Sequence, residues 1–98
     1  MRVVWTRLAQ SHLRAIHDYI ALDSMLHAQK FVDQITQRSK LLQSMPYAGA
    51  EVPEYATETV RELLFRSYRL IYVVQAHQID VVAVLHAARL LPNEPPRP

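Results

Sequence analysis

Cysteine is absent from this chain of 98 residues, and glycine occurs only once. Without cysteine there is no disulfide and no thiolate metal ligand, and the composition fits a reducing compartment. A single glycine leaves no glycine-rich loop to cradle phosphates and no nucleophile elbow. These absences exclude several common kinds of catalytic site.

Long apolar runs and a strong charge of one sign are also lacking. No run approaches the roughly 20 residues of a membrane helix, and the N-terminal residues contain no apolar signal-peptide core. Eleven basic and nine acidic side chains give a net charge of +2, too little to indicate nucleic-acid binding. We therefore expect a soluble, cytoplasmic protein with no membrane partner and no direct sequence-specific DNA binding.

Half of the residues are hydrophobic, which is typical of a globular chain, and the length suits one domain. The last seven residues, PNEPPRP, contain four prolines, which fit neither a helix nor a strand ladder. We therefore predict a single domain over residues 1–91 and an extended, proline-rich tail over residues 92–98.

The segment from Val60 to Arg89 is rich in β-branched and aromatic residues and contains no glycine or proline. This composition favours strands. Only Arg66-Ser67 and Ala76-His77 separate the apolar runs, so we predict an antiparallel meander with tight turns. Its strands are Val60 to Phe65, Tyr68 to Gln75 and Gln78 to His86.

The first half of the chain predicts one short strand and two amphipathic helices. Arg2 to Trp5 is β-prone, and Thr6 is a suitable N-cap for a helix from Arg7 to Leu22. Asp23-Ser24 offers a second N-cap, and a second helix is expected from Met25 to about Gln43. Its apolar stripe is widened by Val32 and Leu41, more than one packed face requires. Tyr19, Phe31 and Tyr72 are predicted to be chiefly structural.

Pro46 and Gly49 end the helical region, and Gly49 is the natural candidate for a turn position with positive φ. Glu51 to Thr59 has no clean periodicity and is predicted to be a surface loop. The fold class is therefore α+β. An N-terminal strand belongs to an antiparallel sheet that ends in the meander, and an antiparallel two-helix hairpin packs on one face of this sheet. The neighbour of the first strand stays open.

Four arginines of the predicted sheet and its turns are candidates for binding phosphates or an acidic partner. They are Arg61, Arg66, Arg69 and Arg89. Guanidinium groups bind such partners bidentately, but each could instead pair with Glu58, Glu62 or Asp80 on a solvated face.

His86, at the end of the last strand with Arg89 beyond it, could act as a general acid or base beside an anion anchor. The alternative is a histidine that hydrogen-bonds locally at the strand end. The other histidines lack ligand neighbours at metal spacing, so we expect neither a metal nor a cofactor.

Many short stretches together resemble the RelE/ParE superfamily of bacterial type II toxins, closer to ParE. The likeness covers nearly the whole chain. The stretches are Trp5-Thr6 with Ala9, Ile16 with Tyr19-Ile20, Ala28 with Phe31, Pro46 and Gly49, Val52-Pro53-Glu54, Arg61-Glu62-Leu63, Tyr68 to Tyr72, and Val84 to Arg89.

This resemblance implies a growth-arresting toxin of the plasmid or chromosome stabilisation type, held by a cognate antitoxin in a hetero-oligomer. ParE-like members inhibit DNA gyrase, whereas RelE-like members cleave mRNA on the ribosome. Nuclease members commonly carry a tyrosine near the C-terminus and basic residues after the position of His86. Here Ala87 and Ala88 stand there, and no tyrosine follows Tyr72. A gyrase inhibitor without chemistry of its own is therefore favoured.

Two alternatives remain, a ribosome-dependent endoribonuclease and an inactive remnant that only binds antitoxin. For a nuclease, the catalytic candidates are Arg61, Arg69, His86 and Arg89. For target binding, they are Arg61, Arg66, Arg69, His86 and Arg89.

Overall fold

A computed structural model describes residues 1–98 and shows the predicted α+β architecture. Two helices lie against one face of a five-stranded sheet, whose order is β1-β5-β4-β3-β2. The elements in chain order are β1 (Arg2–Trp5), α1 (Arg7–Ala21), α2 (Met25–Ser39), a 3₁₀ turn (Lys40–Gln43), β2 (Ala50–Glu51), β3 (Val60–Phe65), β4 (Tyr68–Val74) and β5 (Gln78–His86).

The first strand lies at the edge of the sheet and pairs in parallel with β5, from Arg2 beside Gln78 to Trp5 beside Val81. The sheet is therefore mixed, which corrects the expectation of an antiparallel sheet. Parallel neighbours need a long connection, and the helix hairpin with the meander provides it. The three strands of the meander are antiparallel, as predicted.

Both helices begin at the predicted N-caps. The Thr6 side chain accepts a hydrogen bond from the Ala9 amide, and Ser24 accepts one from the His27 amide. These bonds satisfy amide groups that have no partner within the first helical turn. The α-helical part of the second helix ends at Ser39, and the tighter 3₁₀ turn continues to Gln43, where the helix was predicted to end.

Apolar side chains cover both faces of the sheet. The helix-side core contains Phe31, Ile35 and Leu42 packed on Leu70 and Tyr72. The far-side core lies on the opposite face and is covered by the loop after β2 and by the start of the tail. Its buried members are Val52, Val60, Ile71, Val82, Ala83 and Leu85, with Tyr55, Val73 and Leu91 packed against them.

Gly49 does not have a positive φ, so the reason predicted for this glycine is wrong. A Cβ added there would lie 2.8 Å from the Tyr72 hydroxyl and closer still to the Glu62 carbonyl oxygen. Gly49 is thus required by the close approach of the chain to β3 and β4. The non-glycine residues with positive φ are Ala56 and Arg66, and Arg66 lies in the two-residue turn between β3 and β4.

Two further expectations need correction. Ala50–Glu51 pairs with Arg61 and Glu62 as a short edge strand, although Glu51 was assigned to a surface loop. Tyr19 is 73% exposed and is therefore not structural, whereas Phe31 and Tyr72 are buried as predicted.

None of the helices is both long and apolar enough to cross a membrane. Residues 92–98 contain no helix or strand, and the Tyr55 hydroxyl donates to the Pro92 carbonyl oxygen at 3.0 Å.

Candidate functional site

The candidate arginines and His86 do not form one cluster. Arg61 pairs with Tyr72 on β4, whereas His86 pairs with Tyr68. At about 3.3 Å per residue along a strand and about 4.8 Å between strands, this register places Arg61 and His86 about 16 Å apart. The candidates therefore divide into separate groups, each with its own surroundings.

Arg69 lies on the far side of the sheet and is only 8% exposed. Its Nη1 and Nη2 donate to the two carboxylate oxygens of Glu54 at 2.8 and 2.9 Å. Its Nε and Nη2 also donate to Glu62 at 3.0 and 2.8 Å. The hydrogen bonds from Arg69 are the main reason that the pKa of Glu54 is lowered to about 2. These four bonds tie the loop after β2 to the sheet and occupy donors that a phosphate would need.

Arg61 lies on β3, next to the edge strand β2, and is held by hydrogen bonds to backbone oxygens. Its Nε donates to the Gly49 carbonyl at 2.9 Å, its Nη1 donates to the Glu58 carbonyl at 3.0 Å, and its guanidinium lies 5.1 Å from the Tyr47 ring centre. The Gly49 amide donates to the Tyr72 hydroxyl at 3.0 Å, and burial raises the pKa of that hydroxyl. Arg61 thus fixes the approach to β2 and the loop after it.

Arg66 projects from the turn between β3 and β4 and is exposed. Its guanidinium lies over the Phe65 and Phe31 rings, at 5.3 and 5.9 Å from their centres, and donates to the Gln34 side chain. Stacking on aromatic rings holds the side chain in place while its charge stays in solvent. Arg66 is available to an acidic partner.

Two neighbouring cavities at the C-terminal end of β5 have lining residues in common, among them Arg89, and we call them together the β5-end pocket. It has a larger lobe of about 380 Å³ beside the tail and a smaller lobe of about 160 Å³ between α1 and the sheet. His12, Leu85 and Arg89 line both lobes, and His86 with Tyr68 lines the smaller one. The structure therefore brings two of the predicted residues together and adds His12.

His12 was not among the predicted site residues. Its Nδ1 accepts a hydrogen bond of 3.2 Å from the Val84 amide. Burial, and after it the positive charge of Arg89, lower the pKa of the His12 imidazole. The sequence does hold a signal, because His12 lies between Ala9 and Ile16 at helical spacing and so belongs to the packed face of α1.

His86 is exposed, and its Nδ1 accepts a hydrogen bond of 3.2 Å from the Ala88 amide. Its ring packs edge to face with Tyr68, with 5.5 Å between the centres. A neutral imidazole has one acceptor and one donor nitrogen. Because a backbone amide occupies the acceptor in both His12 and His86, both neutral rings carry their proton on Nε2.

A second exposed feature is apolar and lies at the opposite end of the helices. The turn from α1 to α2 and its neighbours present four large apolar side chains that are 63% to 82% exposed, and we call this surface the hairpin tip. Its members are Tyr19, Leu22, Met25 and Leu26. Exposed apolar groups this close together mark sites of interaction with other proteins.

Comparison with known proteins identifies relatives along almost the whole chain. Residues 3–91 match the family described as "ParE toxin of type II toxin-antitoxin system, parDE". "Toxin RelE2" of Caulobacter vibrioides is 37% identical over 90 residues, which cover 91% of this chain and 98% of the relative.

A solved structure described as "Chromosomal ParDE TA system from P. aeruginosa" contains a chain with a similar fold. The TM-score is 0.73 at 31% sequence identity, and the match covers 88% of this chain and 95% of that one.

Proposed function

This chain belongs to the ParE toxin family of type II toxin–antitoxin systems, and from that premise we propose that it arrests growth by binding DNA gyrase in the cytoplasm. In this proposal the protein acts through a contact surface, and an antitoxin controls it by covering that surface or a neighbouring one. Stabilisation of the plasmid or chromosome that encodes the pair would follow from this control.

The observation that carries the proposal is the hydrogen bonding of the two histidines in the β5-end pocket. Cleavage of RNA needs a group that accepts the proton of the attacking 2′-hydroxyl. In His12 and His86 the nitrogen able to accept is already bonded to the amide of Val84 or Ala88. The nitrogen left in each neutral ring is a donor. Such groups recognise an acceptor, which favours binding over proton abstraction.

The positions of the arginines support the same proposal. A nuclease must stabilise a pentavalent phosphate with charges beside its proton carriers. Arg69 is neutralised by Glu54 and Glu62 on the far side of the sheet. Arg89 is the one candidate arginine that lines the β5-end pocket beside the histidines. Arg66 and Arg89 are exposed and without ion pairs, which suits contacts with an acidic surface of the target.

Inhibition of gyrase supercoiling by the purified protein tests this proposal, together with a parallel assay for cleavage of ribosome-bound mRNA. We expect inhibition in the first assay and intact mRNA in the second. Arg89→Ala should weaken inhibition about tenfold or more, because a charge-assisted contact is lost. His86→Gln should have a smaller effect. Arg14→Ala is the matched control, because it removes an exposed arginine on α1 outside the β5-end pocket, and this variant should inhibit gyrase normally.

Two results would contradict the proposal. Codon-position-dependent cleavage of translated mRNA that His86→Gln abolishes without unfolding the protein would make the chain a ribonuclease. Normal growth during expression of the folded, antitoxin-free protein would make it an inactive remnant.

We also infer that the hairpin tip is part of the surface that the antitoxin covers. Leu22 and Leu26 are among the most exposed leucines of the chain, and their burial by a partner would be favourable by about 1.5–3 kcal/mol each. Val32 on α2 is partly exposed, and Leu41 in the 3₁₀ turn that continues α2 is exposed. An amphipathic segment of a partner suits such a surface.

A further inference from the structure

The β5-end pocket presents hydrogen-bond donors and a positive charge without a matching acid. Nε2 of His12 and Nε2 of His86 have no hydrogen-bond partner in the protein. The Arg89 guanidinium forms no ion pair, and no aspartate or glutamate lines either lobe. These three side chains therefore indicate a ligand that accepts hydrogen bonds and carries negative charge.

The rest of the pocket wall is apolar. The larger lobe is lined by Leu8 from α1, by Leu85 from β5, and by Leu91 and Pro92 from the segment after β5. Its volume of about 380 Å³ lies within the range of about 300–1,000 Å³ that is usual for small-ligand sites. A fully hydrated inorganic anion would make no apolar contact with this wall.

We propose that the β5-end pocket binds a carboxylate that is attached to an apolar body. The carboxylate accepts hydrogen bonds from the Arg89 guanidinium and from imidazole Nε2–H groups where the two lobes meet. The apolar body lies in the larger lobe, against Leu8, Leu85 and Leu91. Each imidazole donates through Nε2, so the hydrogen bonds that Nδ1 accepts from the Val84 and Ala88 amides are kept.

A carboxylate suits these donors better than other anions do. The guanidinium fork matches the two oxygens of a carboxylate, and one positive charge balances one negative charge. His12 contributes a donor at Nε2, and burial and then the charge of Arg89 lower the pKa of its imidazole. A doubly charged phosphate would have to lose more hydration in the same place with only one charge to compensate.

Two sources of this chemistry are possible, a free monocarboxylic acid and the C-terminal residue of a peptide with an apolar side chain. The inference does not rest on the proposed binding of gyrase, because it depends only on the donors and walls of the pocket. The tests for the two sources use the same reporters.

The test is titration of the ¹⁵N-labelled full chain by NMR with hexanoate, hexan-1-ol and acetate at millimolar concentration. The reporters are the amides of Val84 and Ala88, which donate to the two imidazoles. We expect saturable shifts with hexanoate only, because hexanol lacks the charge and acetate lacks the apolar body. A tripeptide that ends in leucine is compared with its C-terminal amide, and tighter binding of the free acid than of hexanoate would identify the peptide source.

Arg89→Met is the decisive variant, because the Arg89 side chain makes no hydrogen bond within the protein that its replacement would remove. Hexanoate should bind about tenfold more weakly or worse to this variant. Arg14→Met is the matched control of equal charge, and its affinity should be unchanged. An unchanged spectrum outside the pocket shows that each variant is folded.

Three outcomes would overturn the inference. They are the absence of saturable shifts with both hexanoate and the peptide acid, equal binding of hexan-1-ol, and unchanged affinity in Arg89→Met. None of them depends on gyrase, so failure here is separate from failure of the proposed function.

Discussion

Phe31 is the residue through which α2 contacts the end of the sheet nearest the turn between β3 and β4. It is 2% exposed and packs edge to face with the rings of Phe65 and Tyr68, at 5.4 and 5.3 Å between centres. Phe31→Ala should lower the free energy of unfolding by about 3–5 kcal/mol, because a cavity replaces these contacts. Chemical denaturation measures the loss.

Tyr19→Ala is the control for Phe31, since it also removes an aromatic ring from a helix but at an exposed position. Its free energy of unfolding should change by no more than about 0.5 kcal/mol. Equal losses in the two variants would contradict the assignment of Phe31 to the core.

Gly49 gives a second prediction, which depends on the lack of space for a side chain at this position. A methyl group at this position would meet the Tyr72 hydroxyl and the Glu62 carbonyl oxygen. Gly49→Ala should therefore cost about 1–3 kcal/mol, as expected for overpacking, and should weaken the pairing of β2 with β3. Thermal unfolding and hydrogen exchange of the Val52 amide, which donates to Val60, measure these effects.

Ala48→Ser, at the exposed neighbouring position, is the control for Gly49 and should leave both measurements unchanged. A Gly49→Ala protein as stable as the wild type would show that the backbone moves apart at little cost.

The loop after β2 is held to the sheet by an ion pair whose strength depends on pH. The pKa of Glu54 is about 2 in the folded protein against 4.5 without its partner. A lowered folded pKa stabilises the protein above pH 4.5, and this contribution is lost as the pH falls from 4.5 towards 2. Because Glu54 is 44% exposed, screening by solvent limits the effect to about 1 kcal/mol or less.

Glu54→Gln should therefore be slightly less stable than the wild type at neutral pH, and the difference should vanish towards pH 2. Arg69→Met should cost more, about 3–5 kcal/mol at neutral pH, because it leaves the carboxylate of Glu62 buried without a partner. Urea denaturation across this pH range measures both variants. A constant difference between wild type and Glu54→Gln at every pH would refute the ion-pair explanation.

The helices and the meander could be predicted from the sequence because their signals are local. The spacing of apolar residues defines α1 and α2, and Thr6 and Ser24 mark their first turns. The features that could not be predicted depend on contacts distant in the chain. The parallel pairing of β1, the two-residue β2 and the reason for Gly49 are set by which segments the folded sheet brings together.

The candidate site was predictable to a similar extent. His86 and Arg89 are recognisable in the sequence because His86 ends a strong strand and Arg89 lies just beyond it. His12 joins them only through its bond to the Val84 amide, 72 residues away along the chain. Glu54 was not among the partners considered for Arg69, because a loop of irregular sequence gives no register against the sheet.

At the scale of the whole molecule, the exposed hairpin tip predicts dependence on a partner. Co-expression with the product of the adjacent reading frame should yield a complex that co-purifies with this chain. Replacing Leu22 and Leu26 together by serine should weaken that complex by about tenfold or more, since the apolar surface that it buries is lost. Titration calorimetry gives the affinity.

Leu90→Ser, at another highly exposed leucine, is the control and should bind the partner normally. Loss of binding in the control alone would place the partner at the C-terminal end of β5. A wild-type chain that is indifferent to the neighbouring gene product would contradict the inferred role of the hairpin tip.

The parallel pairing of β1 with β5 also determines when the protein can fold during its synthesis. Arg2 has its partner at Gln78, 76 residues further along the chain. The residues up to β5 must therefore leave the ribosome before β1 can pair with β5, because contacts so distant in sequence form late. A translation product that stops before β5 lacks both this neighbour and the strand that carries Val81 and Val84 of the helix-side core. Interrupted synthesis thus leaves a fragment without a complete sheet, which is open to proteolysis, and the fold forms only after β5 has been made.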